Sequence, residues 1–189
     1  SSANTTALQP GVSGYSADDI VIAAAGANVY VAWTDVRDDA KAIRVAYSHD
    51  RGLTWSTVGG VTDGVVVNTD STFADASKPA IDARDDRVVV GWSDTRSGKG
   101  DIRLNRSDDA GVTWLGACPR VDTGDTLGFT SSLVPSVALG WQDHVLVTRQ
   151  DFSFPRSSIL ANVSMDAGGV LHADAGGVYR MDADTLDPG

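Results

Sequence analysis

Short runs of apolar or alternating residues, set apart by clusters of Gly, Asp, Asn and Ser, fill the chain from about residue 15 onward. Ile20-Val21-Ile22-Ala23-Ala24 is followed by Tyr30-Val31-Ala32-Trp33 and then by Ala42-Ile43-Arg44-Val45-Ala46-Tyr47. Runs of this length, with turn-forming residues between them, predict β-strands joined by tight turns. No window carries the apolar period and the caps that a helix requires.

The pattern then recurs. Ser48-His49-Asp50-Arg51-Gly52-Leu53-Thr54-Trp55 returns 59 positions later as Ser107-Asp108-Asp109-Ala110-Gly111-Val112-Thr113-Trp114, both reading S-x-D-x-G-x-T-W. A decayed copy opens another 57 positions on at Ser164-Met165-Asp166-Ala167-Gly168, with Val170 and Leu171 where Thr and Trp would stand. The strand ahead of each box recurs too. Trp33-Thr34-Asp35-Val36-Arg37 and Trp92-Ser93-Asp94-Thr95-Arg96 each begin 15 residues before their box serine, and the third unit has Arg149-Gln150-Asp151 in that register. Asp101 to Arg106 and Ser158 to Val163 repeat the third run, while Pro79 to Ala83 and Pro135 to Leu139 repeat the first. A fixed period of this size marks a repeat architecture. Four antiparallel strands per unit, with units side by side, is the blade arrangement of a β-propeller. The chain is therefore expected to be all-β, a single segment of three four-stranded blades at about residues 10–66, 67–125 and 126–189.

Each box residue has a folding task. Asp50 and Asp109 can accept backbone N–H bonds inside a turn, and Gly52 and Gly111 can take a positive φ free of a Cβ clash. Ser48, Thr54, Ser107, Thr113 and, in the third copy, Ser164, Asp166 and Gly168 complete the set. Trp55 and Trp114 are expected to re-enter the sheet and bury their rings between layers.

Composition sharpens this further. All 25 acidic residues are Asp and none is Glu, which suits turns and caps over helices. The net charge of −10 argues against nucleic acid or an anionic membrane as partner. No apolar run approaches the roughly 18 residues of a spanning helix. The single cysteine, Cys118, excludes an internal disulfide and reads as a small buried residue near the fourth strand of the second unit. Asp38-Asp39, Asp85-Asp86 and Asp108-Asp109 could offer oxygens to calcium, although no dedicated calcium loop is present and no cofactor is required.

The S-x-D-x-G-x-T-W box preceded by a strand ending W-x-D-x-R resembles the Asp-box, or bacterial neuraminidase, repeat of the sialidase superfamily, over roughly residues 15 to 175. The resemblance implies a six-bladed propeller of which three blades are present. It also implies extracellular or cell-surface location. Sialidase chemistry would require an arginine triad, an Asp acid/base, and a Tyr nucleophile activated by Glu. The chain contains no Glu, and the register of the family's first catalytic arginine reads Ser77-Lys78-Pro79 and Leu133-Val134-Pro135. Of the four tyrosines, Tyr30 and Tyr47 fall in strand registers that predict packing, leaving Tyr15 and Tyr179. No catalytic residue is assigned. In the family, the face opposite the boxes carries the active site, which makes Asp35, Arg37, Asp94, Arg96, Asp151 and Arg156 candidate ligand-binding residues. The alternative for these positions is that each Asp caps a turn and pairs with the Arg two residues on.

Three blades leave two open edges, whereas a closed propeller needs at least four. Closure is expected either from a second copy or from the remaining half of a longer propeller. The expected function is a non-catalytic module for recognition or assembly, with a carbohydrate or protein ligand. One alternative is part of a sialidase-like glycoside hydrolase whose catalytic residues lie elsewhere. The other is a subunit polymerising through its blade edges. The recognition reading expects Arg37→Ala or Arg96→Ala to weaken binding and to leave folding intact.

Overall fold

A computed structural model describes residues 6–9, 11, 14–37, 40–58, 61–70, 75–122, 127–140, 144–152, 157–164 and 178–180. Among these there are strands and turns and no helix. The first sheet holds β1 (Ser16–Ala25), β2 (Asn28–Arg37), β3 (Ala40–Ser48) and a short outer β6 (Val65–Val66), in that order. Between β3 and β6 lies a small hairpin of β4 (Thr57–Val58) and β5 (Val61–Thr62). The second sheet is β7 (Ala76–Arg84), β8 (Arg87–Asp94) and β9 (Asp101–Ser107). The third is β10 (Ser132–Leu139), β11 (Val145–Asp151), β12 (Ser158–Ser164) and β13 (Val178–Arg180). All pairings are antiparallel. The chain is thus all-β, three consecutive sheets of a propeller.

The second sheet departs from the expected four strands. Its outer position carries only a bridge from Arg103 to Arg120, flanked by Leu104 N–H to Pro119 O (3.2 Å) and Val121 N–H to Ile102 O (2.9 Å). Pro119 has no N–H to give, so the ladder cannot extend through it.

The sheets stack face to face and alternate residues divide between neighbours. Tyr30, Ala32, Ile43, Val45 and Val67 of the first sheet meet Val88, Val90, Trp92 and Cys118 of the second in one dry cluster. Val89, Ile102, Leu104 and Val121, on the other face of the second sheet, meet Val145 and Val147 of the third. Cys118 is buried, and its thiol donates to Val67 O at 3.4 Å across the first of these seams.

One repeated device has no glycine to announce it. Each leading strand is bulged at the same place, between Asp18 and Val21, Ser77 and Ala80, and Leu133 and Ser136. The residue there adopts a left-handed backbone: Asp19 at φ 52°, Lys78 at 55° and Val134 at 53°. For a β-branched residue such as Val134 this is an outlier, costing about 1–2 kcal/mol. The bulge turns a backbone N–H toward the preceding sheet. Lys78 N–H donates to Thr34 Oγ1 and Val134 N–H to Ser93 Oγ, each at 3.2 Å.

Candidate functional site

The strand order puts the boxes at one end of the sheets and the Asp-x-Arg segments at the other. At the box end, Ser48 Oγ donates to Asp50 Oδ1 (2.7 Å) and accepts Gly52 N–H (2.8 Å). Asp50 also accepts Thr54 N–H (2.8 Å) and Thr54 Oγ1–H (2.6 Å). The second box repeats these bonds at 2.7, 2.9, 2.8 and 2.6 Å through Ser107, Asp109, Gly111 and Thr113. These hydrogen bonds, those from the Thr54 and Thr113 side chains first, bring the Asp50 and Asp109 carboxyls each down to about 2. The residue ahead of each glycine is left-handed as well, Arg51 at φ 63° and Ala110 at 58°. The tryptophans meet the expectation in part. Neither lies in a strand, but Trp114 packs against the cluster between the first and second sheets, and the residue after each bonds back to the third strand (Ser56 N–H to Tyr47 O, Leu115 N–H to Arg106 O). Each ring is half-buried and folds its indole N–H back onto the glycine carbonyl of its own turn, at 3.1 Å. In the third copy Ser164 ends β12, while Asp166 and Gly168 lie outside the described residues.

At the opposite end the Asp-x-Arg carboxylates are buried, with Asp35, Asp94 and Asp151 at 2 %, 0 % and 1 % exposure. In the first sheet Arg37 forks onto Asp63 (2.9 and 2.7 Å), and its Nε lies 2.7 Å from Asp35 Oδ2. Arg44 from β3 reaches the same Asp35 oxygen and Asp63 Oδ2, each at 3.0 Å, and Gly64 O at 2.6 Å. Two carboxylates and two guanidiniums thus form a neutral quartet. Tyr15 covers it, its ring centroid 4.3 Å from the Arg37 guanidinium carbon. Burial raises the Asp63 carboxyl, but bonds from Arg37 and the charge of Arg44 outweigh it and hold the group below the usual range.

In the second sheet Arg96 grips Asp94 through Nε (2.8 Å) and Nη2 (2.6 Å) and reaches Asp70 through Nη1. Trp92 Nε1–H adds a bond to Asp94 Oδ2 at 3.0 Å. Burial pushes Asp94 up, and Arg96 and Trp92 more than reverse it. In the third sheet Asp151 accepts Ser132 Oγ–H at 3.0 Å and faces Arg149 Nε at 3.3 Å, and Arg149 also bonds Asn162. Arg156 lies outside the described residues. The structure therefore brings each described Asp together with the Arg of its own segment. Asp63 and Asp70, the further partners, carry no motif and were not legible as such.

A second charged knot went unseen in the sequence. Arg120 Nε stands 2.7 Å from Asp122 Oδ1 and 3.1 Å from Asp101 Oδ1, both carboxylates fully buried. Burial drives the Asp122 carboxyl up, against the pull of Ser132 and Arg120. Among the described residues no group of three His, Cys or Asp side chains is placed to hold a metal ion. Of the paired aspartates, Asp108 bonds Arg87 and Arg106, Asp109 is spent on its box and Asp86 accepts from Asn28, while Asp38 and Asp39 lie outside the described residues.

Apolar side chains are exposed at this end beside polar ones such as Lys99 and Thr95. Leu127, Phe129 and Phe152 are 52 %, 72 % and 44 % exposed. Lys99 N–H bonds Gly128 O (3.2 Å) and Phe152 N–H bonds Ser131 O (3.0 Å), tying the loop that carries Phe129 to the β8–β9 loop and to the end of β11. Phe129 and Phe152 thus crown a frame of paired charges. No helix among the described residues is long and apolar enough to cross a membrane.

No family model and no curated protein sequence matches the chain. Solved structures do match in fold. A GH93 α-L-arabinofuranosidase of Fusarium graminearum, solved with arabinobiose, superposes with a TM-score of 0.54 at 16 % identity, over 81 % of this chain and 45 % of its own. An α-L-arabinanase of Penicillium chrysogenum gives 0.53 at 15 % identity, over 81 % and 44 %. A family 117 glycoside hydrolase from the marine bacterium Zobellia galactanivorans gives 0.56 at 11 % identity, over 90 % and 56 %. The chain spans about half the length of these structures, and at such identities the likeness is one of fold.

Proposed function

We propose that this chain is the carbohydrate-recognising part of a propeller, binding sugar at the Asp-x-Arg end and using its boxes, of the neuraminidase-repeat type, as structural turns. The observation that carries the reading is the exposed Phe129 and Phe152 above a rigid, charge-paired frame, in a fold shared with proteins that act on arabinose-containing and other glycans. Sugar rings present C–H faces that pack on aromatic rings, and a fixed platform costs little ordering. The reading is non-catalytic, because Asp35, Asp94 and Asp151 are buried in ion pairs with arginines and unsuited to proton transfer with a substrate. An extracellular setting goes with a glycan ligand.

The test is titration of the chain with arabino- and xylo-oligosaccharides by calorimetry. Saturable binding that weakens about 5- to 10-fold in Phe129→Ala, in line with the value of an aromatic contact, supports the reading. Binding unchanged in both Phe129→Ala and Phe152→Ala, or none to any glycan, overturns it. A second reading, part of a glycoside hydrolase, is favoured by the activities named for the solved neighbours, each about twice as long. Release of nitrophenol from an aryl arabinofuranoside by this chain would establish it.

A further inference from the structure

Two seams inside the chain define how one sheet receives the next. In each, the following face of a sheet contributes a β-branched or aliphatic residue from its third strand, Ile43 then Ile102, and a hydroxyl from its second, Thr34 then Ser93. The receiving sheet contributes its left-handed bulge and the apolar side of its second strand, Val88, Val90 and Trp92 or Val145 and Val147.

The same parts recur at the two outer faces, where no described sheet covers them. On the third sheet, Leu146 and Ile159 occupy the register of Val89 and Ile102 and are 42 % and 44 % exposed. Gln150 stands where Ser93 stands, with an amide oxygen in place of the hydroxyl. On the first sheet, no described sheet covers the receiving side of β2, although Trp33 there is only 3 % exposed. Ala17, Ile20, Val31 and Trp33, with Leu8 and Gln9, line a cleft of about 290 Å³, and Ile20 is 67 % exposed. Three buried polar atoms on this side lack a partner among the described residues: Gln9 Oε1, Trp33 Nε1 and Asp35 Oδ1. Their counterparts in the second sheet, Trp92 Nε1 and both oxygens of Asp94, are bonded within their own segment, by Asp94 and by Arg96.

We infer that the third sheet of one copy docks on the first sheet of a second copy, and that two such seams close a six-sheet ring. Leu146 and Ile159 of one copy enter the cleft beside Ile20 and Trp33 of the other. The Gln150 amide oxygen accepts the N–H of the partner's Asp19, as Thr34 and Ser93 accept those of Lys78 and Val134. Both halves of the seam are carried by this chain, and the contact continues an interface it already makes twice. Propellers close at about four to eight blades, and a ring of six sheets falls within that range. The inference is independent of the sugar reading.

Light scattering behind a sizing column tests it. The expected mass is twice the 19.7 kDa of one chain, falling to a single chain in Ile20→Asp and, separately, in Ile159→Asp. Leu53→Asp, at an equally exposed site on the box end, is expected to leave the mass unchanged. Folding of each variant is verified by circular dichroism. As a second route, Ile20→Cys combined with Ile159→Cys is expected to yield a disulfide between copies under mild oxidation. A single-chain mass at all concentrations with no such crosslink, as blades of a longer polypeptide in that place would give, overturns the inference. So do heterogeneous masses above two chains, which indicate an open, non-closing contact.

Discussion

The first and second copies of the repeat have nearly the same parts in different surroundings. Inside the boxes the corresponding hydrogen bonds agree to within 0.1 Å, from 2.7 Å at Ser48–Asp50 and Ser107–Asp109 to 2.6 Å at the threonines. Outside them the two diverge. A Cβ on Gly111 would stand 3.2 Å from the rings of Tyr30 and Tyr47, whereas one on Gly52 would meet only its own Trp55 at 3.5 Å. His49 stacks on Tyr47, with ring centroids 5.0 Å apart, and its Nε2–H donates to Ala110 O of the second box at 2.8 Å. The box is thus a self-contained turn whose geometry does not depend on a neighbour, and seam contacts are added around it. Its recurrence reports a folding unit and says nothing of a ligand.

The ion pairs at the other end offer the sharpest way to separate the copies. Asp94 relies on Arg96 as its cation, while Asp35 is shared by Arg37 and Arg44. Arg96→Ala is expected to cost about 3–5 kcal/mol, the usual penalty for stranding a buried charge. Arg37→Ala should cost less than half of that, because Arg44 stays beside Asp35; urea titration of both variants measures the gap. The geometry therefore makes these arginines framework, and the idea that either could be removed with folding intact applies, if anywhere, to Arg37.

The glycines come next. Gly52→Ala keeps only the left-handed penalty of about 1–2 kcal/mol. Gly111→Ala adds the overlap with Tyr30 and Tyr47 and is expected to reach about 2–4 kcal/mol, again read by urea titration. His49→Ala removes one hydrogen bond and one ring contact across the seam, about 1 kcal/mol by thermal melting. Its counterpart Asp108 pairs with the buried Arg106 as well as with the more exposed Arg87, and Asp108→Ala is likewise expected to cost about 1 kcal/mol.

The smallest difference expected is none. Asp50 and Asp109 each titrate at about 2, below the ordinary value near 3.9. A depressed folded-state pKa means that both boxes contribute their stability fully above about pH 4 and lose it as pH falls through about 2. Carboxyl-carbon NMR should give the two residues midpoints within half a unit. A midpoint near 4 at either one would break the equivalence of the boxes.

Much of this was legible in the sequence because it repeats. The register of Trp33 with Trp92 and Arg149, the Asp–Arg pairing two residues apart, and the glycine turns follow from local spacing. What resisted reading was either non-repeating or purely conformational. Arg37 takes Asp63 from farther along its own unit, while Arg96 takes Asp70 from upstream, so no common offset exists to detect. The bulges at Lys78 and Val134 hold side chains that ordinarily avoid a left-handed backbone, at points where one sheet packs on another and no glycine marks the turn. The indole bonds went unread because a bulky aromatic after a turn reads as the next strand, whereas here each indole N–H finds its acceptor three residues back.

The lone thiol of Cys118 sits in the first seam, bonded to a carbonyl of the neighbouring sheet and pushed up in pKa by burial and by the charge of Asp70. It is therefore a built-in clock. A thiol reagent can reach it only while the first and second sheets stand apart, so the labelling rate in native buffer counts the openings of that one joint. Compared with the rate of global unfolding, it tells whether sheets of a propeller let go one at a time or together.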